Sequence, residues 1–280
     1  MVKALNENRV PAAAAALSLV LLFVLCVMCF AEVLMPATGK TTKKDGALTI
    51  DCSHMSEGYV MVRGAKGSKK QKLLVKNGKN KELRYDLNSK GNYEVLPLKY
   101  GNGKYTFTLY ENMSGKKYSQ SGKITLNAKM KDPSRAFLYP NQYVNYTPKT
   151  AAVQKAEELC RDMTDPSEMA KTICSFVKKS FTYDYLKANS IMSNDTKGMM
   201  PQIDETWEKR MGVCQDLSAV TVAMLRSQGI PAKLMIGERI KGYHSWVVLI
   251  LNGEEKRFDP TAELEGKKYK KADYTVERYY

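Results

Sequence analysis

Residues 211–218 read Met211-Gly212-Val213-Cys214-Gln215-Asp216-Leu217-Ser218, and the residues beyond Cys214 have a helical rhythm. Leu217, Val220, Thr221, Met224 and Leu225 recur at the spacing of one helix face. Gly229 suits a helix end, and Ile230-Pro231 forbids continuation, so the spacing predicts an amphipathic helix opening at Cys214. A cysteine there meets backbone N–H groups that have no intrahelical acceptor and the positive end of the helix dipole. Both stabilise a thiolate, the nucleophilic form of the side chain. Cys214 is therefore a candidate nucleophile, although a buried cysteine at a helix start is, by itself, better explained by packing.

Downstream, AKLMIGERI reads as a strand, and a turn around residues 241–243 leads into a second strand, HSWVVLIL, opened by His244. Asn252-Gly253 is a hairpin turn, and KRFDPT returns with Asp259. With a two-residue turn, Asp259 opposes Trp246 and lies diagonal to His244 on the same face. Diagonal neighbours are about 7–8 Å apart between backbones, within reach of longer side chains. A carboxylate so placed can accept from one imidazole nitrogen, select the tautomer and leave the other nitrogen for Cys214. A helix-start Cys, a strand-start His and a same-face Asp together are far more specific than any one of them.

The stretches GVCQDLSAVTVAMLRSQGIPAKLMIGERI, YHSWVVLILNG and RFDPT resemble the transglutaminase-like superfamily, whose fold is related to papain-type peptidases. The resemblance covers residues 151–280. It implies a Cys-His-Asp triad of Cys214 as nucleophile, His244 as general base and Asp259 as orienting acid. One departure is Asp216-Leu217-Ser218, where many relatives carry an aromatic residue and Ala. The implied chemistry is acyl transfer through a thioester, with hydrolysis favoured over crosslinking, acting on protein or peptide substrates. Neither cofactor nor metal is expected. Trp207 and Trp246 are candidate substrate-binding walls, with core packing the simpler account of each. The alternative function is a non-catalytic scaffold or envelope-binding protein.

The expected fold is α+β, with five parts. Residues 1–35 carry Lys3 and Arg9 before a long apolar run, LSLVLLFVLCVMCF included, and read as a transmembrane signal anchor. Cleavage after Ala31 is the alternative. Residues 36–46 are a linker. Residues 47–131 hold seven strand-like runs, ALTIDCS, GYVMVRG, QKLLVKNG, LRYDL, YEVLPL, KYTFTLYE and GKITLNA, which suggest a small Ig-like antiparallel sandwich. Residues 132–150 connect it to a catalytic domain at 151–280. Within that domain, Ala152, Ala156, Leu159, Cys160 and Met163 mark one helix and Ala170, Cys174, Val177 and Phe181 another, with Asp165-Pro166 capping the second. Residues 187–201 read as an exposed loop. Cys160 and Cys174 lie on apolar stripes, as buried free thiols or as a bridge between the two helices.

The 280 residues carry a net charge of +15. Residues 1–35 contribute two basic and two acidic side chains, so the excess sits on the remainder. Such a surface attracts polyanions. With an export signal in front, an anionic cell-wall polymer is a better partner than nucleic acid, for which no binding motif is present. The expected location is the cell membrane, single-pass with the catalytic part outside the cytoplasm, or secreted if the signal is cleaved.

Overall fold

The computed structural model describes residues 37–79, 81–193, 199–240 and 242–280. The expected membrane anchor falls outside these residues. Among the described residues no helix is long and apolar enough to cross a membrane.

All seven strand-like runs form strands: β2 (Leu48–Asp51), β3 (Tyr59–Arg63), β4 (Gln71–Asn77), β5 (Glu82–Leu87), β6 (Glu94–Pro97), β7 (Gly103–Ser114) and β8 (Lys117–Ala128). An eighth, β1 (Thr42–Asp45), lies in the stretch read as linker. Every residue of β1 is exposed, so no hydrophobic alternation marks it. It is held by antiparallel pairing with β2 and by Asp45, whose carboxylate accepts from the Lys123 N–H at 2.7 Å. The eight strands make two antiparallel sheets, ordered β1-β2-β3-β6 and β5-β4-β7-β8. Their inward residues, among them Ile50, Val62, Leu73, Phe107 and Ile124, share one apolar core, as period-two alternation requires.

Residues 132–150, expected as a connector, are packed rather than free. A 3-10 turn covers Pro133–Leu138, capped by Asp132, and Phe137, Tyr139, Val144 and Tyr146 are buried. Proline and tyrosine composition suggested a linker, but the aromatic rings supply the seam between the two halves.

The second half begins with α1 (Ala151–Cys160) and α2 (Pro166–Ser180), the latter capped by Asp165, which accepts from Ser167 N–H. Cys160 and Cys174 are free thiols, and burial pushes them up to about 11 and about 12. A short parallel pair joins β9 (Thr182–Tyr183) to β10 (Met211–Gly212). Part of the expected exposed loop is helical: α3 (Tyr185–Ser193) starts where Asp184 accepts from Lys187 N–H at 2.8 Å. No residue of α3 is buried, which is why apolar periodicity could not reveal it. Then come α4 (Ile203–Lys209) and α5 (Cys214–Ser227).

Helix α5 differs from its expected amphipathic character. Residues 216–226 are buried all round, because α5 packs on the sheet on one side and on α1, α2 and α4 on the other. That sheet is antiparallel, in the order β13 (Glu254–Phe258), β12 (Gly242–Leu251), β11 (Ala232–Arg239) and β14 (Tyr274–Tyr279). Another helix, α6 (Pro260–Leu264), comes directly after β13.

Candidate active site

Cys214 is the first residue of α5, as its spacing predicts. Asp216, two residues on, accepts from the Val213 N–H at 3.1 Å and so closes the first turn. Its buried carboxylate also pairs with Lys187 of α3 at 2.7 Å. Gln215 donates to the Met199 carbonyl at 3.0 Å. The N-terminal end of α5 is thereby held from both flanks.

His244 is the third residue of β12 rather than its first. Arg239 and Gly242 pair across the connection, so the strand opens two residues earlier than expected. Opposite His244 stands Gly237. A side chain at Gly237 would collide with the Thr275 carbonyl of β14 at 2.0 Å, so this glycine permits the close approach of β14 to β11.

The register of β12 and β13 reflects the two-residue turn at Asn252-Gly253, where both φ angles are positive (52° and 79°). Val247 pairs with Phe258, so Asp259 falls next in line, across from Trp246. Asp259 leaves the strand as the N-cap of α6: its Oδ1 accepts from Ala262 N–H at 3.1 Å. Its Oδ2 accepts from His244 Nε2 at 2.8 Å. The helix cap holds the carboxyl plane, and the second oxygen is turned toward the imidazole.

His244 is only 5% exposed. Burial opposes its protonation, but hydrogen bonds to Asp259 and to the Cys214 side chain outweigh this and raise it to about 9. Because Nε2 faces Asp259, Nδ1 is the nitrogen left for Cys214. Burial likewise opposes ionisation of Asp259, and the His244, Ala262 and Tyr274 hydrogen bonds overcome it, holding the carboxyl at about 2. His244 and Asp259 are in direct contact, and Cys214 acts on the protonation of the same ring.

Two further residues belong to the site. Tyr274 donates to Asp259 Oδ2 at 2.8 Å, and Arg239 Nη1 donates to the same oxygen at 3.0 Å. Arg239 lies on the face shared with His244, since it is two residues from Gly237 on β11, a register that follows from the earlier opening of β12. Tyr274 pairs with Arg239 from the other edge of the sheet, and no local signal announces it.

Trp246 is 2% exposed and packs beside His244 and Tyr274, with its ring centroid 6.3 Å from the first and 4.9 Å from the second. Trp207 lies 5.9 Å from both Phe176 and Phe181, with the Arg210 guanidinium 3.6 Å above its ring. These are packing contacts, and the ring remains partly exposed. The Tyr183 hydroxyl is raised to about 12, by burial first and then by Cys214.

Residues 153–260 match the family described as the transglutaminase-like superfamily. Among solved structures, the chain is similar to a "Putative Cysteine Protease" from Cytophaga hutchinsonii (15% identity, TM-score 0.38), with 70% of this chain and 68% of that one covered. It is similar to the periplasmic domain of TgpA from Pseudomonas aeruginosa bound to ethylmercury, at 15% identity and TM-score 0.37, covering 80% and 76%. A structure described only as a TGase has 19% identity and TM-score 0.36; 44% of this chain matches, and that match spans 33% of the other. No curated protein matches the sequence.

Proposed function

Because residues 153–260 are a transglutaminase-like domain, we propose that this chain is a cysteine enzyme that opens amide bonds through a thioester, with Cys214, His244 and Asp259 as its triad. The observation that carries the reading is the buried hydrogen bond from His244 Nε2 to Asp259 at 2.8 Å, with Cys214 at the head of α5 acting on the protonation of the same ring.

In this reading the Cys214 sulfur attacks the amide carbonyl carbon. The oxyanion that forms is met by backbone N–H at the start of α5, where amides lack intrahelical acceptors. As the C–N bond breaks, His244 passes its Nδ1 proton to the departing amine. Water then adds to the thioester carbonyl as His244 takes a proton from it, the C–S bond breaks to free Cys214, and the acid leaves. Asp259 stays ionised throughout and keeps the ring oriented. Water as the acceptor makes the enzyme a peptidase or amidase; an amine acceptor would make it a crosslinker.

The substrate class is protein or peptide of the cell envelope or the extracellular space. The order of segments supports this, with an apolar stretch ahead of the catalytic part and a +15 charge behind it. The same order supports a single-pass anchor with the domain outside the cytoplasm, and the charge supports contact with an anionic cell-wall polymer.

Two measurements test the reading. Iodoacetamide is expected to alkylate Cys214 rapidly near neutral pH and at least tenfold more slowly in His244→Ala. Purified envelope proteins incubated with wild type and with Cys214→Ala are expected to show cleavage only in the former. Crosslinked products would reassign the acceptor to an amine. Identical products from both proteins, with slow alkylation in both, would leave the scaffold reading.

A further inference from the structure

A cavity of about 320 Å³ opens at the seam between the sandwich and the second sheet, lined by Lys99, Tyr100, Phe137, Lys233 and Tyr279 among others. We propose that it binds a small anionic group, a carboxylate or a phosphate, carried on a ring.

Lys99 makes the case. It lies just past β6 and is only 8% exposed, yet among the described residues no carboxylate pairs with it. Its ammonium group donates to the Tyr279 carbonyl and lies against three rings: Tyr280 at 4.2 Å, Tyr279 at 5.1 Å and Tyr100 at 5.3 Å. Ring faces attract a cation but do not cancel its charge. A buried ammonium without a counter-ion is costly. Burial above all, with repulsion from Arg278 and Lys81, pushes Lys99 down to about 7.

The surroundings select the ligand. Lys233, the second amine on the cavity wall, already pairs with Glu255, so its charge is locally met. Among the described residues no acid lines this cavity. A neighbouring cavity of about 490 Å³ shares Ser134 and Ile250 with it and contains Asp132 and Glu255, so an anion is directed to the Lys99 end. The volume is at the lower end of small-ligand sites, about 300–1,000 Å³. The flat walls of Tyr100, Phe137 and Tyr279 suit a ring beside the charged group. Neither Cys214, His244 nor Asp259 lines the cavity, so the proposal stands apart from the amide chemistry.

The test is calorimetric titration of the full chain in detergent with glucuronate, glucose 6-phosphate and glucose. At least one of the two anions is expected to bind ten or more times tighter than glucose. Which anion wins separates a carboxylate-bearing from a phosphate-bearing source. Binding at pH 7.5 is expected to take up protons, read as a buffer-dependent heat, because an anion refills Lys99 with its proton. Lys99→Met is expected to erase the preference for anions, and Cys214→Ala to leave it unchanged. Should Lys99→Met fail to fold, acetic anhydride labelling of Lys99 in wild type decides, with glucuronate or glucose 6-phosphate expected to slow it severalfold. Equal affinity for glucose and both anions, anion binding that survives Lys99→Met, or labelling that neither anion slows would overturn the proposal.

Discussion

Tyr274 and His244 meet at a single atom: both donate to Oδ2 of Asp259, each at 2.8 Å. Arg239 adds a third donor to that oxygen at 3.0 Å. The carboxylate that orients the imidazole is thus itself oriented, by an arginine of β11 and a tyrosine of β14. His244→Ala removes the proton carrier, whereas Tyr274→Phe removes only the support of its support. The expected losses in kcat/KM are on the order of 10³-fold or more for Asp259→Asn and about tenfold for Tyr274→Phe. Steady-state kinetics on a peptide substrate compares them, and an unimpaired Asp259→Asn would remove the triad from the mechanism.

The expected pH profile follows the raised His244. His244 sits at about 9, above the 6.5 of a free histidine. Its proton is therefore expected to serve the leaving amine through neutral pH, with kcat/KM falling only as pH rises through about 9. A descending limb near 6.5 would contradict this.

Stability carries the same signature with its sign determined by linkage. The raised His244 contributes fully below pH 6.5 and loses that contribution as pH climbs through 9. The depressed Asp259 contributes above its ordinary 3.8 and loses it as pH falls toward 2. Thermal unfolding from about pH 2 to about pH 10 is expected to show both losses in wild type and neither in an Asp259→Asn, His244→Ala double variant.

Gly237→Ala tests the sheet that carries the site. Its new methyl would stand 2.0 Å from the Thr275 carbonyl and 2.9 Å from the Glu277 nitrogen, both main-chain atoms that cannot swing away. β14 must retreat, taking Tyr274 with it. The expected cost is about 1–3 kcal/mol in urea unfolding, together with a loss of activity at least as large as that of Tyr274→Phe. An Ala variant as stable and as active as wild type would show that β14 does not press on this glycine.

Arg226 is completely buried in α5 and donates to the carbonyls of Tyr139, Ala232 and Tyr280, at 2.6, 2.8 and 2.9 Å. It ties the seam, the sheet and β14 to the helix that starts at Cys214. Burial lowers it to about 10, so it remains charged at neutral pH. Arg226→Met, which strands three buried carbonyls, is expected to cost about 3–5 kcal/mol. Denaturant unfolding checks this, and a change below about 1 kcal/mol would mean that the carbonyls find other donors.

Local periodicity and turn chemistry were enough to reveal much of this protein before any packing was known. Alternation placed seven strands, the run from Cys214 to Gly229 placed the helix start, and Asn252-Gly253 set the parity that puts His244 and Asp259 on one face. The placement of Cys214 and the meeting of His244 with Asp259 were legible because one helix start and one short hairpin carry them. The remainder came from long-range packing alone. The wholly exposed strand β1 and helix α3 have no buried side chains to mark them. The same limit hid the burial of α5 on every side, since polar residues such as Ser218 and Arg226 mimic a solvent face until their partners arrive from elsewhere. Tyr274 reaches Asp259 from a strand that joins at the far edge of the sheet, and Lys99 meets its tyrosines across the seam. Such contacts depend on which distant segments pack together, and no spacing within one segment encodes that.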